Sequence, residues 1–279
     1  MVLKRVAVVV ATVLLLAGAC SDDKAAAPSS TAAAVGSSNG SSAAGTRPLR
    51  ILVSNDDGVG APGIDALVNA LVAEPNTTVT VVAPADDSSG TGGKTSPGPV
   101  TASDTTTISG YPAVAVHGFP ADAVNYGLTT VVKERPDVVV SGTNAGQNLG
   151  PFVDLSGTIG AARAAAQHGI PALAVSAGLG EPIDFATVTA QAVQWLRDHR
   201  DALTASPAQA AFVESLNAPT CSTGQVRGLA HVTVETGADG GAALAAPDCT
   251  STTPEPPGDV AAFHVGFATL SPVPLQPRS

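Results

Sequence analysis

Asp56 and Asp57 stand side by side in Ser54-Asn55-Asp56-Asp57-Gly58, directly after the apolar run 49–53. Adjacent carboxylates suit a hard cation, whereas Asp-Gly is also ordinary turn chemistry, so the pentapeptide alone does not choose. Its setting narrows the choice. The run 49–53 reads as a buried strand, and Pro62 opens a segment with Ile64, Leu67, Val68, Leu71 and Val72 at helical spacing. Both carboxylates therefore fall on a strand-to-helix turn, at the edge where open α/β sheets bind their ligands.

Further apolar runs deliver further polar loops. Residues 78–83 form a second strand ending near Ser88-Ser89-Gly90, and 113–117 a third, followed by a helix over 123–134. Residues 137–140 form a fourth strand that leads into Thr143-Asn144-Ala145-Gly146-Gln147-Asn148. A helix then starts around Ser156-Gly157-Thr158 and runs through 161–167, with Gly169 just past its end. Residues 172–175 give a fifth strand, and Asp184 caps a helix reaching about Leu203, with Trp195 on its core face. Such alternation predicts an α/β fold, a Rossmann-like, doubly wound and mostly parallel sheet. Beyond it, 229–234 and 261–270 read as strands of a short C-terminal extension.

Asp56, Asp57, Ser89 and Asn144 are all oxygen donors, the set that Mg²⁺ or Mn²⁺ accepts. No Cys or His lies in these loops, which argues against zinc. Ser156-Gly157-Thr158 at a helix start offers N–H groups and hydroxyls to a phosphate. Thr91-Gly92-Gly93-Lys94-Thr95 has the look of a P-loop, but Ser88 stands where its first Gly belongs and Ser96-Pro97 follows instead of a helix. A divalent ion beside a phosphate cradle, with no P-loop, points to phosphate-ester hydrolysis.

Lys4 and Arg5 precede an apolar run, 6–17, that is too short for an ordinary membrane span and fits a signal peptide over 1–19. It ends at Leu16-Ala17-Gly18-Ala19-Cys20, similar to a bacterial lipoprotein signal in which Cys20 takes the lipid; an ordinary secretory peptide is the alternative. Residues 20–47 are rich in Ala, Ser and Gly and read as a tether on the order of 25 Å long, leaving 48–279 as the catalytic domain. The expected location is the cell envelope, outside the cytoplasm and anchored to the membrane, or alternatively secreted. Net charge is −10, without a basic cluster, so a nucleic-acid polymer is not an expected partner. Cys221 and Cys249 remain as an even number in an oxidising compartment, either paired or as two free buried thiols.

The stretches Ser54-Asn55-Asp56-Asp57-Gly58 with Ala61-Pro62-Gly63-Ile64, Val82-Ala83-Pro84 with Ser89-Gly90, Val140–Gly150, Ser156-Gly157-Thr158 and Pro171–Ser176 together resemble the SurE family of metal-dependent 5′-nucleotidases. The resemblance implies a Rossmann-like core, a divalent cation and hydrolysis of nucleoside monophosphates or other small phosphomonoesters. Carried over by position, Asp56, Asp57, Ser89 and Asn144 are the metal ligands, with Asp56 and Asp57 also the catalytic pair. Asn55, Asn148, Ser156, Gly157 and Thr158 line the phosphate pocket. Asp86 and Asp87 are not ligands in this pattern, and Phe119 replaces a pocket Thr. The region between Val234 and Asp259 is shorter than the family extension that serves subunit association; a homodimer is the assembly the resemblance implies. Two functions follow: a tethered phosphomonoesterase, or a tethered nucleotide- or phosphate-binding protein on the same fold without turnover.

Overall fold

The apolar run after Pro48 becomes β1 (Leu49–Ser54), and the sheet is laid down outward from it on both sides. The computed structural model describes residues 47–205 and 210–278; the expected signal peptide, Cys20 and nearly all of the tether lie outside them. From β1 the chain passes through α1 (Pro62–Val72) to β2 (Thr77–Pro84). It continues to β3 (Thr101–Thr106) and β4 (Pro112–His117) on the same side. After α2 (Pro120–Tyr126) and a π-helical turn, Gly127–Val131, it crosses back to β5 (Val138–Ala145), on the other side of β1. A 3₁₀ turn, Gly150–Asp154, precedes α3 (Gly157–Gln167), β6 (Ala172–Ala177), α4 (Phe185–Thr204) and β7 (Val213–Ala218).

The described strands form one sheet in the order β3-β4-β2-β1-β5-β6-β7-β9-β8, with β8 (Leu229–His231) and β9 (Ala268–Val273) at one edge. Pairing from β4 to β7 is parallel throughout; β3 on β4 and β9 on β7 are antiparallel. This is the mostly parallel α/β sheet expected. Strand order supplies what sequence could not: β1 and β5 are neighbours whose connections leave in opposite directions, which opens a crevice at their carboxyl ends.

The central strands are apolar on both faces because both faces are covered. Ile51, Val53 and Val140 pack with Ile64, Leu67 and Leu71 of α1 and with Val188, Trp195 and Leu196 of α4. Leu52, Val82 and Val139 pack with Val124 of α2 and with Ile159, Ala162 and Ala165 of α3. Small residues let α3 sink deep: Gly157 through Ala166 are all buried. A Cβ on Gly160 would lie 1.9 Å from the Gly92 carbonyl oxygen, so helix and serine loop touch backbone to backbone.

Several expected elements differ. The helix over 123–134 starts earlier and closes as α2 plus the π turn, and the strand over 229–234 shortens to β8 with an isolated bridge at Thr233. The strand over 261–270 is two elements: α6 (Asp259–His264), then β9. Its run of Val260, Ala262 and Phe263 is helical because Gly258 and Asp259 initiate a turn, and Asp259 accepts from the Val260 N–H at 2.9 Å. β3 and β7 were not expected. β3 is a polar edge strand, and Glu214 and Asn217 interrupt β7, so neither carries a simple apolar signal. A short helix, α5 (Gly240–Leu244), also appears in the C-terminal extension.

Cys221 and Cys249 are joined in a disulfide, with Cα atoms 5.8 Å apart and 28 positions apart in sequence, which settles the pairing left open above. Alkylation and mass spectrometry of a non-reduced digest should find these cysteines linked, and Cys221→Ser with Cys249→Ser should cost about 3 kcal/mol of unfolding free energy by chemical denaturation.

Candidate active site

Asp56 and Asp57 lie just past the Ser54–Ser141 pair that ends the β1–β5 ladder, within the crevice between these strands. The bulge between Ser141 and Asn144 bends β5 outward. Gly142 makes this possible: its φ is +139°, and a Cβ there would meet the Val175 carbonyl oxygen at 2.3 Å. Three hydrogen bonds then stitch the loops together. The Ser88 N–H donates to the Asp56 carbonyl at 2.8 Å, the Ala145 N–H to Asp57 Oδ2 at 3.2 Å, and the Gly92 N–H to the Leu155 carbonyl at 2.9 Å.

A cavity of about 220 Å³ opens here, lined by Asp56, Asp57, Ser89, Asn144, Asn148 and Ser156 among others. Thus all four expected metal ligands reach one cavity, together with two of the five expected phosphate contacts. Asn55, Gly157 and Thr158 sit beneath it. Asn55 is fully buried and donates Nδ2–H to the Gly58 carbonyl at 2.7 Å; its Oδ1 has no partner. Thr158 donates its hydroxyl to Asp56 Oδ1 at 2.7 Å, and a Cβ on Gly157 would approach Asp56 Cβ to 2.8 Å. A larger cavity, about 600 Å³, lies at the amino end of β1 and β2, beside Pro48, Arg50 and Thr78, away from both carboxylates.

The carboxylate pair carries an unbalanced charge. Burial raises the Asp56 pKa above the ordinary carboxylate value, against the hydrogen bonds from Thr158. Burial, then the charge of Asp56, pushes Asp57 up to about 7. Among the described residues neither has an ion-pair partner. Arg50 pairs with Glu134, and Lys94 places its ammonium 4.5 Å from the centroid of the Phe119 ring.

The donor set fits a hard divalent cation. Among the described residues no group of three or more His, Cys, Asp or Glu side chains could hold a metal, so any ion here needs neutral oxygens beside the carboxylates. They are available. Asn144 donates Nδ2–H to the Gly146 carbonyl at 2.7 Å, which commits its nitrogen and frees its oxygen. Ser89 gives its proton to Asp87 Oδ1 at 2.6 Å, which leaves the hydroxyl lone pairs for a cation.

Sequence reasoning missed the residues that hold these groups. Asp87 accepts from both the N–H and the hydroxyl of Ser89, and these bonds lower its pKa. Asn217, at the end of β7, accepts from the Asn148 N–H at 2.7 Å. The Asn148 side chain donates to the Ser176 hydroxyl at 3.0 Å. Gln147 donates to the Ala243 carbonyl at 3.2 Å and accepts from the Leu179 N–H at 2.9 Å. Only Asp87 had a signal, its place two residues before Ser89 in an Asp-x-Ser turn; the others depend on strand order.

Residues 51–238 match the family model described as Survival protein SurE. The chain is 34% identical over 251 residues to the 5′-nucleotidase SurE of Microcystis aeruginosa, covering 81% of this chain and 91% of that protein. It is 38% identical over 181 residues to the 5′/3′-nucleotidase SurE of Yersinia enterocolitica, covering 65% of this chain and 68% of that one. The crystal structure of SurE protein from Aquifex aeolicus superposes with a TM-score of 0.64 at 24% identity, covering 82% of this chain and 95% of that one, a likeness of fold. With the sequence blocks falling on one crevice of this sheet, the chain belongs to the SurE family.

Proposed function

We propose that this chain is a divalent-metal-dependent phosphomonoesterase that hydrolyses nucleoside 5′-monophosphates outside the cytoplasm, tethered through a lipid on Cys20. The observation that carries the catalytic part is the convergence of Asp56, Asp57, Ser89 and Asn144 on one cavity that also borders the start of α3. Membership of a family whose relatives are named 5′-nucleotidases supports the substrate class. The envelope location rests on the sequence around Cys20.

Asp56, Asp57, Ser89 and Asn144 would hold the ion, Mg²⁺ or Mn²⁺. When bound, such an ion supplies Lewis-acid polarisation of the phosphoryl group and a lowered pKa for water. The chain's own groups do the positioning. Thr158 holds Asp56 Oδ1 in place, and Asp87 orients Ser89. Asn148 and Ser156 line the side of the cavity where α3 begins, and helix N-termini favour anionic phosphate. Hydrolysis proceeds by in-line attack of water on phosphorus with departure of the nucleoside oxygen. Direct attack by Asp56 is the less supported route, because this carboxylate is only 2% exposed and already bound by Thr158. The non-catalytic binding reading is favoured by one feature, the Phe119 ring with Lys94 over it where the family places a pocket Thr.

The deciding assay is turnover of AMP and an aryl phosphate with added Mg²⁺ or Mn²⁺; tight AMP binding without turnover selects the binding protein instead. Asp57→Asn should reduce turnover by at least about 100-fold, and Thr158→Val or Asp87→Asn by roughly 10–100-fold, the range for partners that orient ligands. Asp86→Asn should remain near wild type, because Asp86 meets the serine loop through its backbone carbonyl, which accepts from the Ser88 hydroxyl and is unchanged by the substitution. Independently of activity, Mg²⁺ or Mn²⁺ should raise the wild-type melting temperature and leave that of Asp57→Asn nearly unmoved. Cys20→Ala should move the protein from the membrane to the soluble fraction; identical fractionation of wild type and variant would refute the lipid anchor.

A further inference from the structure

Parallel pairing from β4 to β7 gives the sheet one amino edge and one carboxyl edge. Asp56 and Asp57 stand at the carboxyl edge. The segment read as a tether joins the domain at Arg47, on the amino edge, roughly 20 Å away along β1.

The amino edge also gathers cations that are scattered in sequence. Six of the ten Lys and Arg residues from position 47 onward lie there: Arg47, Arg50, Lys133, Arg135, Arg197 and Arg200. Arg47 and Arg50 flank the start of β1, and the cavity of about 600 Å³ at this edge has Arg50 and Lys133 in its wall. Arg135, just ahead of β5, donates to the Gly169 carbonyl at 2.8 Å. Arg197 pairs with Glu74, and Arg200 donates to the Asn76 carbonyl at 2.9 Å, both ahead of β2. Five acids share the edge: Glu74, Glu134, Asp137, Asp198 and Asp201. The first three are committed to ion pairs with Arg197, Arg50 and Arg47. Lys133, Arg135 and Arg200 enter no ion pair among the described residues. Elsewhere from position 47 onward, four cations stand against sixteen acids. The negative charge of the domain therefore lies away from the edge that carries the tether, and this edge is the face that an anionic surface repels least.

Resting on the lipid anchor at Cys20, we infer that the amino edge of the sheet docks on anionic lipid headgroups through Lys133, Arg135 and Arg200, which turns the carboxyl edge and its catalytic cavity to the aqueous side. A Lys or Arg close to an anionic bilayer strengthens association by about fivefold. A tether of about 25 Å keeps the domain at the surface, so that a few such contacts suffice to orient it. Without the lipid these cations are too few to retain the protein, and Cys20→Ala still leaves the membrane. The cavity so placed takes water-soluble phosphomonoesters and not the lipid phosphates of the membrane beneath it.

Lys94 and Lys133 are the two lysines from position 47 onward; both are exposed, and they sit on opposite edges, Lys94 against Phe119 beyond the end of β4. The full chain, purified from membranes, is inserted into phosphatidylglycerol or phosphatidylcholine vesicles and acylated with a membrane-impermeant amine reagent. Mass spectrometry reads the ratio of Lys133 to Lys94 modification. On phosphatidylglycerol this ratio should be at least about fivefold lower than on phosphatidylcholine, and it should recover in about 1 M NaCl, where the screening length falls to about 3 Å. Arg135→Glu keeps Lys133 as the reporter and should abolish most of its protection. AMP turnover and melting temperature should stay near wild type, since Arg135 is exposed and lies on the edge opposite Asp56. Vesicle-bound protein with the same ratio on both lipids overturns the docking edge and leaves the anchor standing, as does full protection of Lys133 in Arg135→Glu. Protection of Lys94 in place of Lys133 reverses the orientation and overturns it equally. Failure of the wild type to float with vesicles of either lipid overturns the lipid anchor and this inference together.

Discussion

Two carboxylates held side by side and largely out of water are the constraint on which the rest of this molecule turns. Burial and mutual repulsion both disfavour their charge, and Asp57 rises to about 7 for these reasons. A fold tolerates such a pair only where its neighbours hold it rigidly and where a cation can enter. Both conditions are met at the β1–β5 crevice: Asp56 is fixed by Thr158, Asp57 by the Ala145 N–H, and the cavity in front is lined by further oxygen donors.

That arrangement dictates the composition of α3. The helix must start close enough to Asp56 for Thr158 to reach it, and any side chain at Gly157 would displace the carboxylate. One turn on, Gly160 lets the serine loop pass directly over the helix, bringing Ser89 towards the same cavity. The alanine-rich sequence between Ala161 and Ala166 continues this close approach against the sheet. Small residues here reflect the distance at which backbone elements must meet to place the ligands.

The C-terminal extension contributes support from the far side. Asn217 at the end of β7 grips the backbone of Asn148, while Asp259 accepts from the Gly150 N–H at 2.9 Å and from the Glu235 N–H at 2.8 Å. The loop between β5 and α3 is thereby pinned at two points to a region joined by the Cys221–Cys249 disulfide. A region with few strands and short helices thus shares in setting the shape of the cavity.

Sequence by itself determined the strand-turn-helix around Asp56 and Asp57, the start of α3 at Ser156 and the parallel character of the central strands. These signals are local: hydrophobic period, Pro62 at a helix start and a capping Ser156 act within a few residues of where they stand. The candidate ligands were legible for the same reason, as hard oxygen donors directly after apolar runs. Only the tertiary structure decided that their loops meet, because this depends on β5 lying beside β1, a pairing across 87 residues in the register Ile51 to Val138. It likewise decided the roles of Asn217, Ser176 and Gln147, whose partners lie 28 to 96 positions away. The strand expected over 261–270 became α6 and β9 because Gly258 and Asp259 start a helix against Glu235 before the chain reaches the sheet edge at Ala268. Apolar runs say that a segment is buried; which surface buries it is settled by the packing of the whole chain.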